Sequence, residues 1–222
     1  MNDINAVVFD AYGTLFDVHS VIEKCNSLFH GKGQQISQIW RTKQLEYTWL
    51  MSLMGRYENF FSITRKGLVF ALKELKLDFD DELCNEILNE YYILKPFSEV
   101  PAALETIKDK KLAILSNGNP EMLNTVVKNS KLNELIPNII SVDDLKIFKP
   151  FLGVYQLATA GLSVPREQTL FVSSNSWDAV GAKVFGFNVC WINRANQQFD
   201  ELDVKPDIVV KDLKQLVESI KS

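Results

Sequence analysis

Histidine is nearly missing from this chain. Its 222 residues include two, His19 and His30, which all but excludes a metal cluster built on imidazoles. Cysteine is scarce as well: Cys25, Cys84 and Cys190 are widely spaced, odd in number and form no C-x-x-C pair. That argues against a disulfide framework or a zinc site and leaves three small apolar packing groups. Positive charge is in deficit, 24 Lys and Arg against 28 Asp and Glu for a net charge of -4, so there is no electrostatic footprint for nucleic acid. No window approaches the ~20 apolar residues of a membrane span. The opening MNDINAVVFD lacks the basic region and long apolar stretch of a signal peptide. The expectation is a protein of the reducing cytoplasm with no nucleic-acid or membrane partner.

What is present is an ordinary globular composition, 46% hydrophobic and 23% charged. The length exceeds one typical domain of about 100–150 residues but suits one core carrying an insertion. Residues 1–15 read as a strand and a turn, and residues 17–94 as helical throughout. SVIEKCNSLF, ISQIWRTKQLEYTWLMSLM, ENFFSITRKGLVFALKELKL and DDELCNEILNEYYIL all place apolar residues at three-and-four spacing. Asp80 and Asp81 suit the start of the fourth helix, where carboxylates meet the positive end of the helix dipole. Pro96 and Pro101 punctuate the return. From residue 98 short apolar runs alternate with helices. KLAILS (111–116), NIISV (138–142), TLFVSS (169–174), NVCWI (188–192) and DIVV (207–210) read as strands. EMLNTVVKNS, FLGVYQLATAG closed by Gly161, and WDAVGAKVFG read as helices. Such runs argue a parallel sheet covered on both faces. The predicted fold is α/β, a doubly wound, Rossmann-like parallel sheet with an all-helical cap inserted after the first strand. The core takes residues 1–15 and 96–222 and the cap takes 16–95, with hinges at 16–18 and 95–98.

The most informative segment is FDAYGTL, residues 9–15. An apolar run ends in Asp10 and a Gly-Thr turn follows, which puts a carboxylate at the carboxyl end of a strand. Open α/β sheets bind ligands at that edge. Three more polar segments follow, or lie just beyond, apolar runs: Ser116-Asn117-Gly118-Asn119, Lys149-Pro150, and Ser173-Ser174-Asn175-Ser176-Trp177-Asp178. All four belong at the same edge.

Their order resembles the four motif regions of the haloacid dehalogenase superfamily. Phosphatases of that superfamily usually carry a second aspartate two places after the first, and an acidic magnesium-holding cluster in the fourth region. Here these are Tyr12 and FVSSNSWDAVGAKVFG. The SSNxWD pattern is similar to that of the L-2-haloacid dehalogenases, which work without metal. The likeness runs through DAYGTLFDVHS, WRTKQLEYTWLMSLM, PFSEVP, LAILSNG, KP…VY and CWINR, essentially the whole chain. It implies a hydrolase with no metal and no cofactor that converts short (S)-2-haloalkanoates, such as 2-chloropropanoate or chloroacetate, to (R)-2-hydroxy acids and halide. It also implies a homodimer. An acidic chain with an anionic substrate must concentrate positive charge locally, which singles out Arg41 and Lys149.

The resemblance also implies roles. Asp10 would attack C2, invert it and form an ester that water then opens. A carboxylate of pKa about 3.9 is ionised at neutral pH without activation. Halide leaves unprotonated, so Tyr12 in place of a proton donor is chemically acceptable. Ser116, Asn117 and the backbone at Ala11 and Tyr12 would hold the substrate carboxylate. Arg41 would stabilise the departing halide, and Lys149 would neutralise the carboxylates beside Asp10. Asp178 would orient or deprotonate water, with Ser173 and Asn175 fixing its position. Thr14 and Tyr155 would support these groups, and Phe60 and Trp177 would line the pocket.

Each residue also has a plainer reading. Asp10 alone is a turn carboxylate, Arg41 a solvated helix arginine and Lys149 a surface turn lysine. Ser116 and Asn117 make a polar turn before Gly118, and Asp178 is a first-turn helix aspartate favoured by the dipole. Tyr155, Trp177 and most of the inserted aromatics are packing groups. The rival functions are a magnesium-dependent phosphatase and a silent binding protein on the same fold. Two positions depart from the family: Ala11, where a bulkier apolar residue is frequent, and Thr42, where close relatives tend to have glutamine. Both departures would widen the pocket.

Overall fold

Six short apolar runs pair into one parallel sheet in the computed structural model, which describes residues 4–221. They are β1 (Ala6–Phe9), β2 (Lys111–Ser116), β3 (Asn138–Ser141), β4 (Thr169–Ser173), β5 (Asn188–Ile192) and β6 (Ile208–Val210). Their order across the sheet is β3-β2-β1-β4-β5-β6. Every residue of β1 and β4 is buried, as central strands with two covered faces require. The register sets Phe9 opposite Ile114 on one side and Val172 on the other, so β1, β2 and β4 end close together. The strand order reverses at β1 and β4, the switch point where such sheets open a ligand crevice.

Between β1 and β2 the chain runs through α1 (His19–Leu28), α2 (Gly33–Leu53), α3 (Phe60–Glu74), α4 (Asp81–Leu88), a 3-10 turn (Asn89–Tyr92) and α5 (Val100–Thr106). Local chemistry starts two of these helices. The Asn59 side chain accepts from Ser62 N at 2.9 Å at the head of α3, and Asp80 accepts from Leu83 N at 2.8 Å at the head of α4. Each such cap stabilises by about 1 kcal/mol. The two connections to the sheet run side by side: Phe16 bridges Pro96, and Asp17 N donates to Lys95 O at 2.9 Å. After β2 come α6 (Pro120–Asn129), α7 (Leu152–Leu162), α8 (Ser176–Phe185) and α9 (Leu213–Lys221). Among the described residues, no helix is long and apolar enough to cross a membrane.

The structure differs from the sequence reading in three details. The fourth inserted helix does not continue to residue 94 but tightens into the 3-10 turn after Leu88. Gly161 does not close α7: the buried Leu162 carries the helix one residue further, and Ser163 takes the left-handed conformation at φ 52°. Pro101 marks a beginning, not a break, because proline fits the first turn of α5, where its missing N–H is not needed. The sequence reading also passed over α5, which has seven residues, and α9, which has nine.

The helical insertion is held by a close approach of α2 to α3. Ile36, Trp40, Gln44 and Thr48 form a buried stripe on α2 at four-residue spacing. Gly67 of α3 faces it. A Cβ there would lie 3.1 Å from Gln44 N and 3.1 Å from Trp40 Cδ1. Gly67→Ala is therefore expected to overpack this contact and cost about 1–3 kcal/mol. Urea unfolding checks it, and an unchanged midpoint would mean that the two helices can part without cost.

Candidate active site

The turn after β1 sets the first group. Asp10 N still donates to Val172 O at 2.9 Å, so the residue leaves the sheet in register. The chain then folds back on itself: Ala11 O accepts from Leu15 N at 2.9 Å and from Phe16 N at 3.1 Å. Gly13 sits at φ 84°, a conformation that a side chain resists. This tight loop turns Thr14 back toward Asp10, with Thr14 Oγ1 3.2 Å from Asp10 Oδ2. Thr14 Oγ1 also accepts from Ser174 N at 2.9 Å, which ties the turn to the end of β4.

The end of β4, the loop before α7, and helices α7, α8 and α2 deliver the rest. Asp10 Oδ1 faces Lys149 Nζ at 3.2 Å, and the same ammonium donates to Asp178 Oδ2 at 2.9 Å. Asn175 Nδ2 donates to Asp10 Oδ2 at 2.8 Å, and Ser173 Oγ lies 3.5 Å from that oxygen and 3.2 Å from Asp178 Oδ2. Tyr155 donates its hydroxyl to Asp178 Oδ1 at 2.8 Å. Asp10 is 7% exposed, Lys149 1% and Asp178 0%, so all three charges lie out of water. Arg41, on α2, joins through Asn175: its Nη2 donates to Asn175 Oδ1 at 3.2 Å.

Burial decides the electrostatics. An ion pair at about 3 Å attracts by roughly 5 kcal/mol at an effective dielectric of about 20, whereas exposed pairs contribute about 0–1 kcal/mol. Two carboxylates share one ammonium here, which leaves the cluster with surplus negative charge. Burial pushes the Asp178 carboxyl up, to about 6, against the opposing pull of Lys149. Burial works against the Lys149 ammonium, yet Asp10 and Asp178 together raise its pKa. Tyr155 is held well above the usual phenol range by burial and by the Asp178 charge, so it remains a hydrogen-bond donor.

Not every anticipated residue touches this cluster. Ser116 Oγ accepts from Gly118 N at 3.1 Å, and Asn117 Oδ1 accepts from Lys149 N at 3.0 Å. Both shape the loop after β2 and hold the lysine backbone in place. Tyr12 stacks on Phe60 with ring centroids 5.8 Å apart, and its buried hydroxyl finds no hydrogen-bond partner among the described residues. Burial pushes that phenol far up, which disqualifies it as a proton donor. Trp177 packs edge-on against Trp49 at 5.6 Å. Ala11 is buried in the core, and Thr42 is exposed and donates back to Gln38 O at 2.9 Å. A cavity of about 460 Å³ reaches Tyr12, Arg41 and Asn175, and neither Ala11 nor Thr42 lines it. The sequence reading passed over Gln44, which accepts from Arg41 Nη1 at 2.7 Å, and Ser174. A glutamine on the Ile36–Trp40 stripe was the available signal for the first. Ser174 had none beyond its place in the fourth segment.

A nucleophile-type aspartate after β1, a lysine shared with a second aspartate, and an inserted helical segment bearing an arginine together define a class. A family model described as haloacid dehalogenase-like hydrolase matches residues 4–186, and the chain belongs to that family. Within it, the chain is similar to named dehalogenases. It is 47% identical to the (S)-2-haloacid dehalogenase of Pseudomonas sp. (strain YL) over 98% of this chain and 95% of that protein. It is 45% identical to haloacetate dehalogenase H-2 of Moraxella sp. (strain B) over 99% of each. The structure of L-2-haloacid dehalogenase from Xanthobacter autotrophicus with chloropropionic acid covalently bound superposes with a TM-score of 0.95 at 38% identity, covering 99% of each chain.

The raised Asp178 carboxyl has a measurable consequence. A carboxyl shifted upward keeps its proton to a higher pH, so Asp178 is expected to titrate at about 6. Carbon-13 NMR of labelled aspartates can follow it, with Asp178→Asn identifying the signal. Lys149→Met should move the titration higher still, because the cation that favours the ionised form is gone. Titration of Asp178 near pH 4 would mean that the cluster is better solvated than its burial indicates.

Proposed function

We propose that this chain hydrolyses short (S)-2-haloalkanoic acids to (R)-2-hydroxy acids. The observation that carries the reading is the pairing of Asp10 and Asp178 on one buried ammonium. One carboxylate serves as nucleophile and the other as base, with full-length likeness to proteins named for this reaction in support. Asp10 Oδ2 engages Asn175, Thr14 and Ser173, whereas Oδ1 engages Lys149. Oδ1, with fewer donors, attacks C2 from the face opposite the halogen. The C2–O bond forms, the C–halogen bond breaks, and the halide leaves with the bonding pair toward Arg41. Water then attacks the Asp10 carboxyl carbon and gives a proton to Asp178. The tetrahedral adduct collapses, the departing alkoxide takes that proton back from Asp178 to become the hydroxy acid, and the regenerated Asp10 carboxyl releases its own proton to solvent.

Residues 16–95 act in this reading as a cap that brings Arg41 and Phe60 over Asp10. Tyr12, Phe60 and Tyr91 give the substrate chain an aromatic wall. Ser116, Asn117 and the backbone at residues 11–12 take the substrate carboxylate.

The test is isotopic. In heavy-oxygen water under single turnover, the solvent oxygen should enter Asp10 while the product of (S)-2-chloropropanoate carries light oxygen. The (R) enantiomer should release no halide, and a chelator should change nothing. Heavy label in the product with an unlabelled Asp10 peptide would sink the mechanism. Magnesium-dependent release of phosphate from an aryl phosphate would sink the reaction class.

The same reading includes a homodimer. Leu50, Leu53 and Met54 at the end of α2 lie exposed, as do Phe151 and Leu152. Leu53 and Phe151 both line an apolar cavity of about 390 Å³. Exposed apolar groups gathered this way mark an interface. Light scattering should give about twice the 25.3 kDa chain mass, and a monomer mass at micromolar concentration would refute the dimer.

A further inference from the structure

The buried stripe of α2 changes character halfway along. Ile36 and Trp40 are followed at the same spacing by Gln44 and Thr48, all shut off from solvent. Thr48 satisfies itself by donating to Leu45 O at 2.6 Å. Gln44 instead reaches out in two directions. A buried amide costs the fold unless each end is paired, and an apolar residue of its shape would pack the stripe as well.

The directions of its hydrogen bonds are fixed by its neighbours. Thr64 donates its hydroxyl to Phe60 O at 2.7 Å, so it offers Gln44 a lone pair. Gln44 therefore turns its nitrogen that way, and Nε2 donates to Thr64 Oγ1 at 2.7 Å and to Tyr91 OH at 3.4 Å. That leaves Oε1 for Arg41, whose Nη1 donates to it at 2.7 Å. Arg41 Nη2 meets Asn175 Oδ1 at 3.2 Å, and Asn175 Nδ2 meets Asp10 Oδ2 at 2.8 Å. Two donor chains thus diverge from Arg41, one through Asn175 to Asp10 and the other through Gln44 and Thr64 to Phe60 O at the start of α3. A flipped Gln44 would set its NH2 against the guanidinium and break the second chain.

We infer that Gln44, locked by Thr64, is a positioning residue for the leaving halide. It grips one edge of the guanidinium, so that the remaining N–H groups meet the halogen as the C2–halogen bond breaks and Asp10 bonds to C2. This rests on the proposed dehalogenation and adds two residues to it. Donors held in place in advance stabilise developing charge best. Chloride is a poorer leaving group than bromide and depends more on that help.

The test compares kcat/KM for (S)-2-chloropropanoate and (S)-2-bromopropanoate in the wild type, Gln44→Met, Thr64→Val and Thr64→Ser. Gln44→Met should lose roughly 10–100-fold on the chloro acid, in the range of a displaced catalytic group. It should lose about five- to tenfold less on the bromo acid, so the bromide-to-chloride ratio rises by that factor. Thr64→Val should move the ratio the same way, and Thr64→Ser, which keeps the hydroxyl, should restore it. Hydrolysis of the ester, once halide has gone, should keep its single-turnover rate. Equal losses on both acids in folded variants, as a structural role would give, overturn the inference. Should Gln44→Met fail to fold, the Thr64 pair decides. A wild type that releases no halide from either acid overturns the proposed function itself, whereas an unmoved ratio in an active enzyme overturns the role of Gln44 alone.

Discussion

The Lys149 ammonium, held between two buried carboxylates, is the interaction on which the rest of the structure turns. Asp10 comes from the end of β1, Asp178 from the first turn of α8, and Lys149 from the loop before α7. Asn117, beyond β2, fixes the lysine backbone at 3.0 Å, and the Phe171 ring lies 5.0 Å from its nitrogen. Removing one member of a buried ion cluster typically costs about 3–5 kcal/mol, because the partners stay behind unpaired. Here two carboxylates would be left facing each other. The cation that holds the strand ends together also opposes the burial that raises the Asp178 carboxyl.

Around that cluster the hydrogen bonds have directions, and those directions sort the two oxygens of Asp10. Oδ2 collects Asn175, Thr14 and Ser173, while Oδ1 faces Lys149. The helical insertion contributes in two ways. Its aromatic side packs Phe60 and Tyr91 around Tyr12. Its polar side sends Arg41 down to Asn175. In a site of low dielectric such donors act more strongly than in water.

Much of this was legible in the chain because it depends on local order. Short apolar runs ending in Asp10, Ser116 and Ser173 announce strand ends, and parallel strands bring their ends to one edge by geometry. Asp80 could be recognised as a cap because capping needs only the residue and the turn after it. The helix α5 was harder, since seven residues give little periodicity, whereas α9 sets Leu213, Leu216 and Val217 at helical spacing and was legible though not read. Thr42 looked significant for its place beside Arg41, yet one step along a helix swings a side chain by about 100°. It points to solvent.

The sequence by itself determined the fold class and the four polar segments at one sheet edge. Those follow from periodicity and composition, which act over a few residues. Tertiary structure alone decided which groups share a proton or a charge. Lys149 is 139 residues from Asp10 along the chain, and Asn175 is 134 from Arg41. Nothing local reports that Thr64 has already given its hydrogen to Phe60 and so sets which way Gln44 faces. Electrostatics and hydrogen bonding act through space, and only folding fixes those distances.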